Sequence, residues 1–580
     1  MAAEHIEMPA APFDWRDHLP NEYPEHIDFF PVEGKGVGMF VLRDFQSGET
    51  VLEEQPFFTR LSAEAVANKS DWTADWSKAF DAIWAPLKAP PSANRSDVKL
   101  YASPAMVRSA LGFAKSTPRG RKDLLSLWHP PLDSSHPLVG IAAQLAELCV
   151  ARLAECKSLE VEDVQRAILA VEMNLFAGGR LFKLFSRVNH SCFPNVVYVA
   201  AKGAFKLKAL RPIRKGEELV HSYLGERLLL PTDARRWHLW RSKCFHCVCE
   251  RCVAVGDPLR SVPCRSCARE AAERFKMRAR RWRVVHKPGV WRRAEPSTQG
   301  KQLGFLHHGQ LVETTGRSDG AWAELSRDKG WVLTDGQVVG LGTLCVPDAE
   351  PPPLDPAWGV YRRAFFRDRE PPPPRLPDGV SESAVQRLEL PLEYISEPEA
   401  TDFPHAVYTD GHWRCPACGQ DEKDERLLDL EAVLSRHAER VFFSPEIVKA
   451  DGTIGVGGGS RLAMIREEFL VSALQLAEAV TSVLGHRHWS TQWARILFID
   501  IAGSLREFGH SHSGFYKEPF RDVCLLWEWL ESLGLAQEPS NWLHGRAQRL
   551  LNGPSRASGS KEPDLWYCAL SQKLNSSKPL

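Results

Sequence analysis

The 580-residue chain lacks any excess of one charge: 73 Lys plus Arg stand against 73 Asp plus Glu, for a net charge of +0. That balance supplies no overall field to draw in nucleic acid or an anionic membrane surface. Long apolar runs are missing too; none reaches the ~18 residues that a membrane-spanning helix needs. Met1 to Trp15 has no basic start, apolar core or small-residue cleavage site, so it does not read as a secretory leader. Together these absences place the chain in an intracellular setting, cytoplasmic or nuclear, where thiols stay reduced. Cysteine is itself absent from Met1 to Leu148, and all 14 lie beyond. Eight of them gather closely: Cys244, Cys247, Cys249, Cys252, Cys264, Cys267, Cys415 and Cys418. In a reducing compartment such spacing indicates metal rather than disulfides.

What is present reads as several domains. Ile27-Asp28-Phe29-Phe30 and Met39-Phe40-Val41-Leu42 read as strands around the turn Gly34-Lys35-Gly36-Val37-Gly38, and Thr50-Val51-Leu52 starts another. Residues 59 to 135 are rich in Ala, Ser, Pro and Trp and read as an insertion, followed by helices over about 138–155 (Leu138, Ile141, Leu145 and Leu148 share a face) and Val161 to Asn174. Short strands return with Val196-Val197-Tyr198-Val199 and Phe205-Lys206-Leu207. From about 280 to 346, short strands alternate with glycines and carry Trp291, Trp322 and Trp331. Proline runs at Pro351–Pro353 and Pro371–Pro374 favour extended linkers. From Glu425 the pattern is helical, with Leu427, Leu430, Val433, Leu434, His437 and Val441 on one face and further helices near 461–484, 489–508 and 519–534. Gly457-Gly458-Gly459 breaks the pattern before them. The basic run Arg278-Ala279-Arg280-Arg281-Trp282-Arg283 fits either a solvated face or a contact with nucleic acid or an acidic partner.

The richest stretch chemically is Ser186-Arg187-Val188-Asn189-His190-Ser191-Cys192-Phe193-Pro194-Asn195, followed about 30 residues on by Gly216-Glu217-Glu218-Leu219-Val220-His221-Ser222-Tyr223. Either half alone reads as an ordinary polar turn or a loop entering a strand. Gly34, Gly36 and Gly38 have no Cβ to keep a ligand from the backbone. Cys247, Cys249 and Cys252 offer three thiolates at tight spacing, one short of a tetrahedral site. The two C-x-x-C pairs, Cys264/Cys267 and Cys415/Cys418, either share one zinc ribbon or stand apart; closing the ribbon requires the intervening segment to fold compactly.

In this order the motifs resemble those of SET-domain protein methyltransferases, and from Ser186 to Cys252 they resemble the SET-and-MYND branch. The indicators of that branch are Ser222-Tyr223-Leu224, Leu229-Leu230-Pro231-Thr232, Arg235-Arg236 and Phe245-His246-Cys247-Val248-Cys249-Glu250-Arg251-Cys252. The resemblance implies S-adenosylmethionine held by Gly34, Lys35 and Gly36, by Asn189 and His190, with Asn174 as an upstream contact and Phe245 packed on the adenine. It implies Tyr223 as the catalytic residue, also touching the cofactor and orienting a substrate lysine. It also supplies Cys192 as fourth ligand to the zinc of Cys247, Cys249 and Cys252, which leaves Cys244 spare. The chain departs from the branch in having no cysteines ahead of Leu148 for the MYND zinc module, and in placing Glu33 where a basic residue is frequent.

The expected fold class is therefore α+β and multidomain. Residues 1–252 form a SET β-fold with an insertion at about 59–180 and a zinc-binding segment at 244–252. Residues 253–279 and 405–424 form a split zinc ribbon around 280–346, which looks like a small Src-homology-3-like β-barrel with an exposed peptide site. A proline-rich linker covers 347–404, and 425–580 forms a helical, tetratricopeptide-like domain. The implied activity is methyl transfer from S-adenosylmethionine to a lysine amine of a histone or other protein, with one or two structural zinc ions. A catalytically silent scaffold that binds proteins through the barrel and helices is the rival reading, with a zinc-ribbon reader of chromatin or nucleic acid third. Retention of Asn189, His190 and Tyr223 speaks for the enzyme.

Overall fold

The computed structural model describes residues 23–62, 82–83, 102–200, 203–267, 270, 281–326, 329–348, 405–443, 446–448, 454–456, 467–507, 517–533 and 535. Outside them lie much of the Ala/Ser/Pro/Trp-rich insertion, Arg278 to Arg280 of the basic run, the proline-rich linker, the Gly457–Gly459 break and the end of the helical domain. The chain divides into two compact units, one built on Met1–Ala254 and the other on Val255–Trp529.

The first unit starts with strands β1 (Ile27–Val32) and β2 (Gly36–Val41), an antiparallel hairpin in which Val32 faces Gly36. Strand β3 (Thr50–Glu54) follows, then β4 (Phe58–Thr59). Helices α1 (Pro104–Lys115), α2 (Pro118–Leu125), α3 (Pro137–Arg152) and α4 (Val161–Asn174) come next among the described residues. Three of these begin with proline, whose missing N–H costs nothing in a first turn. In α3 the preceding His136 also caps the helix, its Nδ1 accepting the Leu138 N–H at 3.2 Å. In α4, Glu162 and Asp163 stand where the helix dipole favours negative charge, and Val164, Ile168 and Val171 are buried on one face. The four helices share a core with Met106, Phe113, Leu138, Leu145 and Ile168.

Strands β5 (Arg180–Leu181), β6 (Asn189–His190), β7 (Val196–Ala200), β8 (Phe205–Ala209) and β9 (Val220–His221) complete the unit's sheets: β1-β2, β3-β8-β7, β4-β5 and the parallel pair β6-β9. Their shared core includes Phe29, Met39, Phe182, Phe185, Phe205 and Leu219. Full burial of each such side chain contributes roughly 1.5–3 kcal/mol. Helices α5 (Thr232–Lys243) and α6 (Glu250–Val253) carry the chain to the first cysteine cluster.

The second unit opens with β10 (Asp257–Pro263). After it come β11 (Arg281–Val284), β12 (Gly289–Arg293), β13 (Gln302–His307), β14 (Leu311–Asp319), β15 (Trp322–Leu325), β16 (Trp331–Leu333) and β17 (Cys345–Pro347). These seven form one sheet in the order β13-β12-β16-β15-β14-β11-β17. The expected Src-homology-3-like barrel is corrected here: the sheet is open, and among the described residues β13 and β17 end it without pairing to each other. Closure requires strand number, tilt and stagger to agree. Instead the long β14 divides its length, pairing with β11 through Leu311–Glu313 and with β15 through Thr314–Asp319, and the three-residue β17 ends the sheet beyond β11. Trp322 is buried in this sheet's core and Trp331 packs against it, whereas Trp291 is exposed.

Strands β18 (His405–Thr409), β19 (His412–Arg414) and β20 (Asp421–Glu422) return to β10 as the sheet β10-β18-β19-β20. Trp413, fully buried, donates its indole N–H to the Arg260 carbonyl at 2.7 Å. Helices α7 (Glu425–Ala438), α8 (Glu467–Leu484), α9 (Trp489–Glu507) and α10 (Lys517–Ser532) make the C-terminal helical region. Asp424 caps α7 by accepting the Arg426 N–H at 3.0 Å. From α7, Glu431 reaches Arg260 of β10 through two bonds of 2.8 and 2.6 Å and His488 through one of 3.3 Å. None of the described helices is long and apolar enough to cross a membrane.

Candidate functional site

The glycine turn between β1 and β2 is closed by Lys35 N–H donating to the Val32 carbonyl at 3.0 Å. Gly34 and Gly36 adopt φ of +69° and +82°, a region that side chains avoid, and a Cβ on either would meet nothing within 4 Å. The turn therefore presents bare backbone to open space. Gly38 is the opposite case: a Cβ there would lie 2.7 Å from Val32 Cγ2, 2.8 Å from Glu218 Oε1 and 3.2 Å from Asn189 Nδ2. Asn189 donates to Glu218 Oε1 at 2.8 Å and to the Val37 carbonyl at 3.3 Å. The other oxygen of Glu218 takes Lys35 Nζ at 2.9 Å. One carboxylate thus joins the glycine turn to the Asn-His-Ser-Cys motif.

The two motif halves meet because backbone and buried polar groups hold them. Glu54 of β3 accepts the N–H groups of Lys183, Leu184 and Phe185 at 2.7–3.1 Å, fixing the 3₁₀ turn that leads into Asn189. Burial pushes the Glu54 carboxyl above its ordinary range, although these three donors oppose the shift. In the parallel pair, Asn189 faces Val220 and His190 faces His221. Asn195, 1% exposed, locks it by accepting the Val220 N–H at 2.8 Å and donating to the Glu218 carbonyl at 2.7 Å.

Tyr223 emerges from this junction. Its hydroxyl donates to the Val188 carbonyl at 2.9 Å, and its backbone N–H donates to His190 Nδ1 at 3.0 Å. The residue is half-buried; desolvation of the phenol, with the Glu218 charge second, pushes its pKa upward, so the group stays neutral. Burial also pushes His190 and His221 down to about 3, leaving both uncharged near neutral pH. Phe245 lies 6.0 Å from the His190 ring and 6.3 Å from the Tyr223 ring. Lys243 Nζ sits 5.4 Å from the Tyr223 ring centre and is tied to the Met173 carbonyl.

Beside the His190 ring the chain gathers four sulfurs. Those of Cys192, Cys247, Cys249 and Cys252 all lie within 4.8 Å of one another, Cys192 and Cys252 being 3.5 Å apart. Zinc–sulfur bonds of about 2.3 Å in a tetrahedron separate the sulfurs by roughly 3.8 Å, so the set fits that ion. Hydrogen bonds within the set push the Cys192 thiol up and hold Cys249 and Cys252 below their ordinary range. Arginines hold the loops around it: Arg235 points Nη2 at Cys252 Sγ at 3.6 Å, Arg236 binds the Cys247 and Cys252 carbonyls, and Arg251 binds those of Cys192 and Leu228. Cys244 is outside the set; it ends α5 in a left-handed conformation, 3.4 Å from His136 Nδ1.

A second set joins Cys264, Cys267, Cys415 and Cys418, again within 4.8 Å. The Cys264–Cys418 and Cys267–Cys415 separations are 3.6 and 3.8 Å, matching the same tetrahedral edge. Cys264 and Cys415 are buried and Cys418 is exposed. Partners 148 and 154 positions apart thus meet at the foot of the β10-β18-β19-β20 sheet.

The structure therefore brings together Gly34, Lys35, Gly36, Asn189, His190, Tyr223, Phe245 and the first thiolate set within one unit. Asn174 stands at the last turn of α4, where its amide nitrogen serves the Trp128 and Ala170 carbonyls, both at 2.8 Å. Sequence reasoning missed Glu218, which looks like a solvated turn residue, and Asn195, whose type fits any loop. The signal for both is their place inside the two motif halves that must meet.

The SET-domain family model matches residues 36–224, the stretch that holds the β2 end of the glycine hairpin, the parallel β6-β9 junction and Tyr223. The chain is similar in parts to SMYD lysine methyltransferases. It is 34% identical to the human N-lysine methyltransferase SMYD2 over 99 residues, which are 17% of this chain and 20% of that protein. The histone-lysine N-methyltransferase SMYD3 of Mus musculus is 40% identical over 75 residues, 13% of this chain and 17% of its own. A SET domain-containing protein of Dictyostelium discoideum is 42% identical over 68 residues, 12% and 17% of the two chains. The chain thus spans about a fifth of the length of these curated relatives. The crystal structure of the SET domain of LSMT bound to lysine and AdoHcy aligns over 41% of this chain and 56% of that one, with 13% identity. The TM-score of that alignment is 0.26, too low to bear on the fold of this chain.

Proposed function

We propose that this protein is an S-adenosylmethionine-dependent protein-lysine N-methyltransferase, acting on a lysine of a histone or other protein, with both four-cysteine sets holding structural zinc. The observation that carries the reading is the junction itself. A bare glycine backbone, an amide side chain, an aromatic ring and a neutral tyrosine hydroxyl converge where the two motif halves of a SET domain meet.

When bound, the cofactor supplies an electrophilic methyl group. Gly34 to Gly36 offer backbone to it without steric hindrance, Asn189 offers the donor and acceptor that an amino-acid head group needs, and Phe245 offers a face for the adenine. The Tyr223 hydroxyl gives its one proton to the Val188 carbonyl. Its oxygen lone pairs are thereby left to accept from a substrate amine, fixing the direction of the nitrogen lone pair. A lysine near pH 7 still carries its proton and must lose it before attack. Tyr223, raised above its ordinary range, is no base for that proton, which leaves to solvent. The phenol's contribution is alignment, which in favourable cases lowers a barrier by ~7–11 kcal/mol in total.

The test is Tyr223→Phe. It keeps the ring and removes the acceptor, so turnover should fall by roughly 100-fold, about 2.7 kcal/mol of barrier. Affinity for S-adenosylmethionine by calorimetry should stay within about threefold. Labelled cofactor with a histone mixture and a cell extract, followed by mass spectrometry of modified lysines, supplies the substrate. Unchanged turnover in the variant removes Tyr223 from this role, and an absence of cofactor binding by the wild-type chain removes the enzyme reading.

A further inference from the structure

His190 sits between the Tyr223 backbone and the first thiolate set, and both of its ring nitrogens are engaged. Nδ1 receives the Tyr223 N–H at 3.0 Å, while Nε2 lies 3.4 Å from Cys192 Sγ. An imidazole nitrogen that accepts a hydrogen bond carries no proton, so the ring hydrogen is on Nε2 and points at sulfur. The ring is 5% exposed and therefore makes these bonds away from competing water. A metal-bound thiolate is a charged acceptor, and hydrogen bonds onto charged groups are the stronger kind.

We propose that the His190 side chain is a positioning residue that fastens the Tyr223 peptide to the Cys192 corner of the metal site. One ring then serves two tasks: Nε2–H steadies the thiolate and Nδ1 fixes the start of the residue that presents the phenol. The inference rests on the proposed role of Tyr223 and on metal in the first four-cysteine set, and it assigns to the side chain a role separate from any backbone contact with cofactor. Three geometric facts support it over plain core packing. Cys192 is two residues away and could not be reached by Nδ1 without releasing Tyr223. The Ser191 N–H donates to the His221 carbonyl at 3.1 Å, which fixes the strand that carries the ring. Other nitrogens also reach the sulfurs, Arg235 Nη2 at Cys252 and the Cys192 N–H at Cys249, so the set is built to receive donors.

Two isosteric halves of the ring separate the tasks. His190→Asn places an acceptor where Nδ1 was and does not reach Cys192; His190→Gln places a donor where Nε2 was and leaves the Tyr223 N–H unpaired. On the metal-loaded full chain, mass spectrometry follows alkylation of Cys192 during chelation, with Cys415 as internal reference from the other set. Amide hydrogen exchange follows the peptide containing Tyr223. His190→Asn should speed Cys192 alkylation by about 10- to 100-fold with exchange at Tyr223 unchanged. His190→Gln should leave alkylation within about threefold and raise exchange at Tyr223 by about fivefold or more. In both variants Cys415 should behave as in the wild type. Any other pattern, including a joint change of both readouts in both variants or a change in neither, overturns the proposal. Neither readout needs cofactor or substrate, so a failure of the methyl-transfer reading is distinguishable from a failure of this one.

Discussion

Replacing Gly38 by alanine should unhook the glycine turn from the Asn-His-Ser-Cys motif without touching a ligand-facing surface. Gly38 has no left-handed backbone to protect, so the effect is steric: the new Cβ falls 2.7 Å from Val32 Cγ2 and 2.8 Å from Glu218 Oε1. The carboxylate is the softer neighbour and yields first. Its displacement costs the 2.8 Å bond from Asn189, about 1.5–3 kcal/mol for a hydrogen bond to a charged group. The Lys35 ion pair, with side chains 29% and 17% exposed, adds only about 0.5 kcal/mol. Alanine's narrower unfolded ensemble returns about 0.4–1 kcal/mol. A net loss of about 1–3 kcal/mol results, read from denaturant unfolding, and calorimetry should show S-adenosylmethionine affinity down by about tenfold as Asn189 loses its anchor. Glu218→Ala provides the decisive partner. Once the carboxylate is gone, adding the methyl at position 38 should cost much less, a coupling of about 1–2 kcal/mol in the double-mutant cycle. Additive costs would refute the reasoning and move the clash to Val32.

Three further outcomes are expected from the same geometry. Cys192→Ser should lose metal from the first thiolate set and cofactor affinity together, whereas Asn189→Ala should lose cofactor affinity alone; elemental analysis beside calorimetry distinguishes them. Burial alone would raise Glu431, but hydrogen bonds from His488 and Arg260 overcome it and hold the carboxyl at about 2, against an ordinary 4.5. A depressed carboxylate contributes stability that is complete above the ordinary value and lost as pH falls toward 2, here about 3 kcal/mol. Urea unfolding between pH 5 and 2.5 should show that slope. Arg260→Met should flatten it and, by leaving Glu431 buried with a weaker partner, cost about 3–5 kcal/mol near neutral pH.

The helix Val161–Asn174 was legible because its apolar residues recur at the helical period and its first turn is acidic. The β1-β2 hairpin was legible because two alternating runs flank glycines that the turn requires at positive φ. Both are local signals. The open sheet was not legible in the same way: glycine and tryptophan spacing marks each strand, but whether the first and last strands pair depends on how β14 divides its length between two neighbours. At the site, Asn189, His190, Cys192 and Tyr223 stood out because their types carry chemistry in a fixed order. Glu218 did not, because a glutamate after Gly216-Glu217 has every appearance of a solvated turn until β9 pairs with β6 and turns its carboxylate inward. The joining of Cys264/Cys267 with Cys415/Cys418 was an open alternative, since spacing within each pair says nothing of a partner so far along the chain.

The second thiolate set has a bearing on how this protein could have grown. Cys267 and Cys415 stand 148 positions apart in sequence and 3.8 Å apart in space, so everything between them leaves and re-enters the fold at one point. The entropic cost of closing such an excursion rises with the logarithm of its length, about 0.6 kcal/mol per doubling. A ribbon fastened at its foot is therefore a tolerant doorway. Whole sheets can be gained, lost or exchanged behind it over evolutionary time, while the strands in front keep their register.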